Sequence, residues 1–200
     1  TVKWDGAPAI ICGTNPDNGR FFVGTKSVFN KSPKINYTSA DIRKNHGGAV
    51  GEKLEICLRE LRKLGIKGIL QGDLLFTKGE LKTATLDGEK NIVFTPNTIT
   101  YAVPIGTPLA SRIANANLGI IFHTTYTGKT FSSLGAKFGA NVSRLRKVRS
   151  VFFDDAVYKD ASGAKFDSGE QSKFDGILRM AEGSVGKGSI FMDKIAKDTS

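Results

Sequence analysis

TVKWDGAPAIICGTNPDNGRFFVG, residues 1–24, places a lysine, an acid and a glycine directly ahead of an apolar run and a turn. Val2–Cys12 first alternates and then runs apolar, the pattern of a buried strand. Gly13–Gly19 is a cluster of turn residues, with Asn18-Gly19 as a hairpin signal. Arg20–Val28 is predicted as the returning arm. Lys3 and Lys26 then sit on the two arms of one antiparallel pair. Two readings follow: solvated lysines on an edge, or a lysine nucleophile at position 3 with a second cation near it.

Outward from this hairpin, Asn36–His46 reads as a short helix or turn, with Thr38, Ser39 and Asp41 available as caps. Gly47-Gly48 breaks it. Ala49–Leu64 carries apolar residues at 50, 54, 57, 58, 61 and 64, which is helical spacing, and Gly65 suits the residue after a helix end. Gly68–Phe76, Asn91–Thr95, Thr98–Val103 and Leu118–Tyr126 are strand-like, with a short helix at Arg112–Ala116. After Gly128 the texture changes. Lys129–Arg149 is basic and rich in Gly and Ser, Val151–Val157 reads as a strand, and Asp160–Ser168 as a loop. Gly169–Lys197 has helical period, weakened by glycines. The expected fold class is α+β, a mostly antiparallel twisted β core with flanking helices. The expected division is a core over 1–128 and a basic, more helical segment over 129–200.

Two hundred residues support one good core and a small appendage. No apolar run approaches the length of a membrane span. The N-terminus lacks the basic-then-apolar pattern of a leader. The expectation is therefore no membrane partner and a cytoplasmic location. Cys12 and Cys57 lie in apolar surroundings and read as reduced core residues, and His46 and His123 have no metal-type spacing. The formal net charge of +10 favours a polyanionic partner, against a merely solubilising surface. Arg144, Arg146, Lys147 and Arg149 are the densest cationic cluster, suited either to a nucleic-acid backbone or to a solvated face. His123 reads as a half-buried strand histidine and Asp154-Asp155 as a strand-ending turn.

Four segments fall into one order. Lys3-Trp4-Asp5-Gly6 is followed by Phe22-Val23-Gly24-Thr25-Lys26-Ser27, then Leu70-Gln71-Gly72-Asp73-Leu74, then Ile99-Thr100-Tyr101-Ala102-Val103. This order resembles that of the covalent nucleotidyltransferases: ATP-dependent DNA and RNA ligases and mRNA capping enzymes. Over roughly residues 1–128 the chain is similar to ligase-like proteins of large tailed phages, which share a K-W-D-G-A-P-A opening. The resemblance implies a nucleotidyltransferase (ATP-grasp-like ligase) core in which Lys3 attacks the α-phosphate of ATP and carries AMP. It implies nucleotide binding by Asp5, Gly6, Lys26, Asp73 and Tyr101, with Tyr101 stacking on the base and Asp73 also serving Mg²⁺. It implies ATP and Mg²⁺ as cofactors, and RNA or DNA with a 5′-phosphate as partner, while leaving the oligomeric state open.

The chemistry agrees with these residue types. A lysine amine attacks phosphorus only when deprotonated, which nearby cations promote, and Mg²⁺ prefers oxygen ligands such as a carboxylate. Two further family motifs, a Glu-Gly strand and a Lys-x-Lys pair, have no good match. Leu118 stands where the Glu belongs, Phe174-Asp175-Gly176-Ile177 is a partial likeness in a helical stretch, and Lys194 and Lys197 are misspaced. The expectation is a fragment, with those motifs past Ser200. The alternatives are a non-catalytic nucleic-acid-binding phage accessory protein on a degenerate ligase fold, and a capping-type enzyme that takes GTP.

Overall fold

A computed structural model of the chain describes residues 4–156 and 168–180. Its first strands are β1 (Ala9–Thr14) and β2 (Phe21–Gly24), an antiparallel hairpin with Thr14 opposite Phe21. Residues 15–20 make a longer turn than Asn18-Gly19 alone predicts. Asn15 organises it: its Oδ1 accepts from Asp17 N–H at 2.8 Å, and its carbonyl accepts from Gly19 N–H at 2.8 Å. The returning strand also stops early. Beyond Gly24 the chain turns into a 3-10 helix, Lys26–Phe29, because Thr25 caps Ser27 N–H and Val28 folds back over Gly24, leaving no room there for a side chain. Lys26 thus stands just past the strand, not within it.

Two helices follow, α1 (Ser39–Asn45) and α2 (Gly48–Leu61). Thr38 and Asp41 form a reciprocal capping box at the start of α1. The apolar face of α2 buries Leu54, Cys57, Leu58 and Leu61, and a last 3-10 turn ends at Gly65 with φ +68°. Next come β3 (Ile69–Thr77), β4 (Lys82–Leu86), β5 (Glu89–Phe94), β6 (Tyr101–Pro104), α3 (Pro108–Asn115), β7 (Leu118–Thr127), β8 (Gly135–Phe138) and β9 (Val151–Asp155). The main sheet has six strands in the order β2-β1-β3-β7-β8, with β9 also on β7; β4, β5 and β6 form a second, three-stranded antiparallel sheet. β9 runs parallel to β7, and every other pair is antiparallel. The class is α+β, as the alternation of strand and helix signals indicates.

The main sheet separates two packing environments. One face carries Ile10, Cys12, Leu70, Leu74, Ile120 and Phe122 against α2. At one end of the other face Leu75, Phe76, Ile121 and Phe152 meet Phe94 and Val103 of the second sheet and Ala110 and Ile113 of α3. At its other end Ile11, Phe22, Val28 and Ile69 make a separate cluster. Both cysteines are free and fully buried. Burial pushes the Cys57 thiol up to about 12, so it stays protonated and inert at neutral pH.

The expected boundary at residue 128 moves. The larger compact unit spans residues 2–158, because β8 and β9 complete the sheet on β7. In the smaller unit, residues 168–180 form a helix, α4. Phe174-Asp175-Gly176-Ile177 therefore lies on a helix and not on the strand its motif likeness requires, and helical period wins over local resemblance.

Glu60 on α2 ties this helix to Asn117 and Ser150, the residues that lead into the neighbouring strands β7 and β9. Its carboxylate is 1% exposed and accepts from Lys63 Nζ at 2.7 Å, Arg59 Nε at 3.0 Å and Asn117 Nδ2 at 3.3 Å. Burial alone pushes its pKa up, but hydrogen bonds from Lys63, Ser150, Arg59 and Asn117 outweigh burial and hold it at about 2. A carboxylate depressed to that extent contributes on the order of 2 kcal/mol. Its contribution is complete above the ordinary carboxylate pKa and is lost as the pH falls through the folded value. Glu60→Gln is expected to lower the unfolding free energy at pH 7 by about that amount. It should also flatten the loss of stability on acidification, measured by urea unfolding from pH 7 downward. An unchanged acid limb would show that Glu60 does not set it.

Candidate functional site

Along β3, the residues facing away from α2 read Ile69, Gln71, Asp73, Leu75: apolar, polar, polar, apolar. Ile69 belongs to one apolar cluster and Leu75 to the other, so Gln71 and Asp73 bridge them at the middle of a central strand. β7 supplies the facing residues. Its pairing jumps from Phe122 opposite Gly72 to Thr124 opposite Gln71, so His123 is the extra residue of a β-bulge. The bulge presents the imidazole to the acid. His123 Nε2 lies 3.4 Å from Asp73 Oδ1, and Nδ1 lies 2.8 Å from Thr124 Oγ1. Beside them Tyr126 donates its hydroxyl to Gln71 Oε1 at 2.7 Å, and burial raises the phenol's pKa, keeping it a donor. Asp73 and His123 are 21% and 19% exposed. A half-buried strip of polar, titratable groups at the centre of an otherwise apolar face is the mark of a site, since isolated polar groups are costly there.

The strand-entry segment lies against this strip. Ala7 N–H donates to Leu74 O and Leu74 N–H to Pro8 O, each at 3.1 Å. Gly6 is pressed onto β3: a Cβ on it would collide with the Leu74 carbonyl and stand 3.3 Å from Asp73 Cβ. Asp5 N–H donates to the Tyr101 hydroxyl at 2.7 Å, and that hydroxyl donates to Asp5 O at 3.1 Å. The Tyr101 ring stacks on Trp4 at 5.1 Å and on Phe94 at 5.3 Å. Tyr101, expected to stack on a base, here packs against these two rings. Its ring is committed to packing, and its role here is to hold the Trp4-Asp5-Gly6 strap.

The structure thus brings Asp5, Gly6, Asp73 and Tyr101 together. Lys3 lies outside the described residues. Lys26 is exposed, two residues past Gly24, which pairs with Ile11. It leaves β2 at the end of the sheet where the strap enters. Arg144, Arg146, Lys147 and Arg149 sit on the β8–β9 connection, all exposed, while Val142, Leu145 and Val148 at every third position pack into the core beneath them. A groove of about 560 Å³ runs along this connection beside β9, lined by Lys147, Arg149, Ser143 and Asp154, with Arg112 entering from α3. No local pattern singles out Arg112. Gln71, His123 and Thr124 were likewise legible only as strand residues, although Gln71 and Asp73 at i and i+2 already marked two polar positions on one strand face.

Among the described residues, no group of three or more His, Cys, Asp or Glu side chains is gathered for a metal ion. No helix among them is long and apolar enough to cross a membrane. An α+β protein with a polar strip on its main sheet and a glycine strap laid beside it is the class these features define. Residues 1–200 match a family of unknown function, DUF6267, and the chain belongs to that family. No curated protein and no solved structure matches it.

Proposed function

We propose that the chain is a lysine-dependent nucleotidyltransferase of the ATP-dependent polynucleotide ligase type. The observation that carries this reading is the docking of Gly6 against Leu74 and Asp73, which joins the segment that follows Lys3 to the acidic strand motif.

 The two segments are far apart in sequence and meet through the Ala7–Leu74 and Leu74–Pro8 backbone hydrogen bonds.

In the first step the Lys3 amine, deprotonated, attacks the α-phosphorus of ATP. A P–N bond forms, the bond from α-phosphorus to the bridging oxygen breaks, and pyrophosphate leaves. AMP then passes to a 5′-phosphate, and a 3′-hydroxyl displaces it as the phosphodiester forms. Asp73 fits Mg²⁺, a hard cation held by one or two carboxylates together with substrate phosphates. Lys26 supplies positive charge at the same end of the sheet. Trp4 and Tyr101 fix the strap. Intact-protein mass after incubation with ATP and Mg²⁺, in parallel with GTP, tests the reading. A covalent AMP adduct supports it, a GMP adduct moves it to the capping class, and no adduct with either overturns it for this chain.

A second reading, nucleic-acid binding without chemistry, draws on the exposed cations of the β8–β9 connection. Each phosphate contact contributes to the salt dependence of binding. Arg144→Glu, Arg146→Glu and Arg149→Glu together are expected to flatten the slope of log affinity against log salt by about 2 units for single strands. Fluorescence anisotropy with a labelled oligonucleotide measures it, and an unchanged slope would assign the cations to a solvated face.

A further inference from the structure

We propose that Asp73 and His123 are two ligands of one divalent cation, of the Mn²⁺ class more than the Mg²⁺ class. The binding stands on the geometry of the strip; only its use in nucleotidyl transfer rests on the reading above.

His123 Nε2 and Asp73 Oδ1 approach to 3.4 Å without making a hydrogen bond of ordinary geometry. The other ring nitrogen is engaged, at 2.8 Å from Thr124 Oγ1. In the tautomer whose Nδ1 proton is donated to Thr124, Nε2 turns a lone pair toward a carboxylate oxygen. Two acceptors then face each other, an arrangement that a cation between them relieves. The separation suits this. Ligand atoms each about 2.1 Å from one ion, at octahedral or tetrahedral angles, lie roughly 3.0–3.4 Å apart. Thr124 holds the imidazole by its remote nitrogen, as partners of metal-bound histidines commonly do.

The surroundings also fit. The β-bulge that makes His123 an extra residue aims it at Asp73, and a bulge is a common device for re-aiming a side chain beside a site. Ala9, small, is the residue opposite Asp73 on β1. Both ligands keep partial exposure, so further positions are open to water or to phosphate oxygens. Two protein ligands completed in this way are enough for phosphate-linked divalent ions. An imidazole beside a carboxylate, without thiolate, shifts preference from Mg²⁺, which favours oxygen alone, toward first-row divalent ions that also accept nitrogen, and Mn²⁺ is the member of that series nearest to Mg²⁺ in its taste for oxygen.

The test is Mn²⁺ titration of the 200-residue chain without nucleotide, followed by the loss of the free-ion electron paramagnetic resonance signal. Electron spin-echo modulation then reports nitrogen bound to the ion. The expected result is one Mn²⁺ site with ¹⁴N coupling. His123→Gln should abolish that coupling, and both His123→Gln and Asp73→Asn should weaken binding by at least about tenfold. Circular dichroism checks the fold of the variants, and the wild-type coupling needs no variant at all. No Mn²⁺ binding, binding without ¹⁴N coupling, or affinity indifferent to both substitutions overturns the proposal. The ATP adduct is scored separately. His123-dependent Mn²⁺ binding without any adduct keeps the site and removes the nucleotidyl transfer. An adduct with no such binding keeps the chemistry and removes the site.

Discussion

Lys3→Ala is expected to leave no covalent nucleotide on the protein under conditions that load the wild type. The reason lies in what the first step asks of a side chain. The attacking group must present a lone pair to phosphorus and then hold the nucleotide through a bond labile enough to pass it on. A lysine amine does both once it is deprotonated, and neighbouring positive charge favours that state. Alanine supplies no nucleophile. Lys3→Arg should fail as completely, because a guanidinium keeps its proton at any working pH. This second variant separates nucleophilic attack from simple charge: a lysine needed only to attract phosphate would be replaced well by arginine. Intact mass reads both variants directly. An AMP adduct that survives in Lys3→Ala would place the nucleophile elsewhere, and an adduct in Lys3→Arg would make position 3 an anion-binding residue.

Much of the fold was legible because its signals are local. The cap at Thr38, the apolar spacing through α2 and the stop at Gly65 each follow from a few neighbouring residues, and the helices fall where those residues put them. The strands at 69–77 and 118–127 were equally plain. The β4–β5 hairpin is not among the expected elements, although Asp87-Gly88 is a strong two-residue turn signal: the two residues take φ +49° and +81°, and Leu86 pairs with Glu89. β4 was hidden because Lys82-Thr83-Ala84-Thr85-Leu86 buries little and so shows no apolar alternation. The compact unit runs past residue 128 for a different reason. The change to a basic composition is real, but it reflects exposed side chains on a connection whose Val142, Leu145 and Val148 still pack into the same core. Composition reports on surface, and pairing of β9 with β7 is a long-range fact. The site divides in the same way. Asp5, Gly6 and Asp73 could be named from motif order. The approach of His123 to Asp73 depends on a bulge in the register of β3 and β7, which no local pattern carries.

Gly6→Ala should separate the site from the fold. The new methyl would overlap the Leu74 carbonyl and crowd the Leu74 carbonyl carbon at 3.0 Å and Asp73 Cβ at 3.3 Å. β3 is flanked by β1 and β7 and cannot yield, so the strap has to move. Moving it strains the hydrogen bonds between Ala7 and Leu74 and between Leu74 and Pro8, and the pair between Asp5 and Tyr101. Each such bond is worth about 1 kcal/mol net, so the expected loss of stability is on the order of 2 kcal/mol, which leaves a folded protein. The effect on reaction is larger in proportion. On the proposed nucleotidyl transfer, displacing a reacting group by about 1 Å costs on the order of 100-fold in rate. The comparison is therefore between the melting temperature and the single-turnover rate of adduct formation. A folded Gly6→Ala protein with a rate down by about two orders of magnitude supports the strap as the element that places Lys3. Tyr101→Phe is the milder companion, removing the hydroxyl's bonds to Asp5 while keeping the ring on Trp4 and Phe94, and its rate should fall between the two. A Gly6→Ala protein that reacts at the wild-type rate would show that the contact between strap and β3 serves the fold alone, and the case for chemistry at the Asp73 strip would lose its main support.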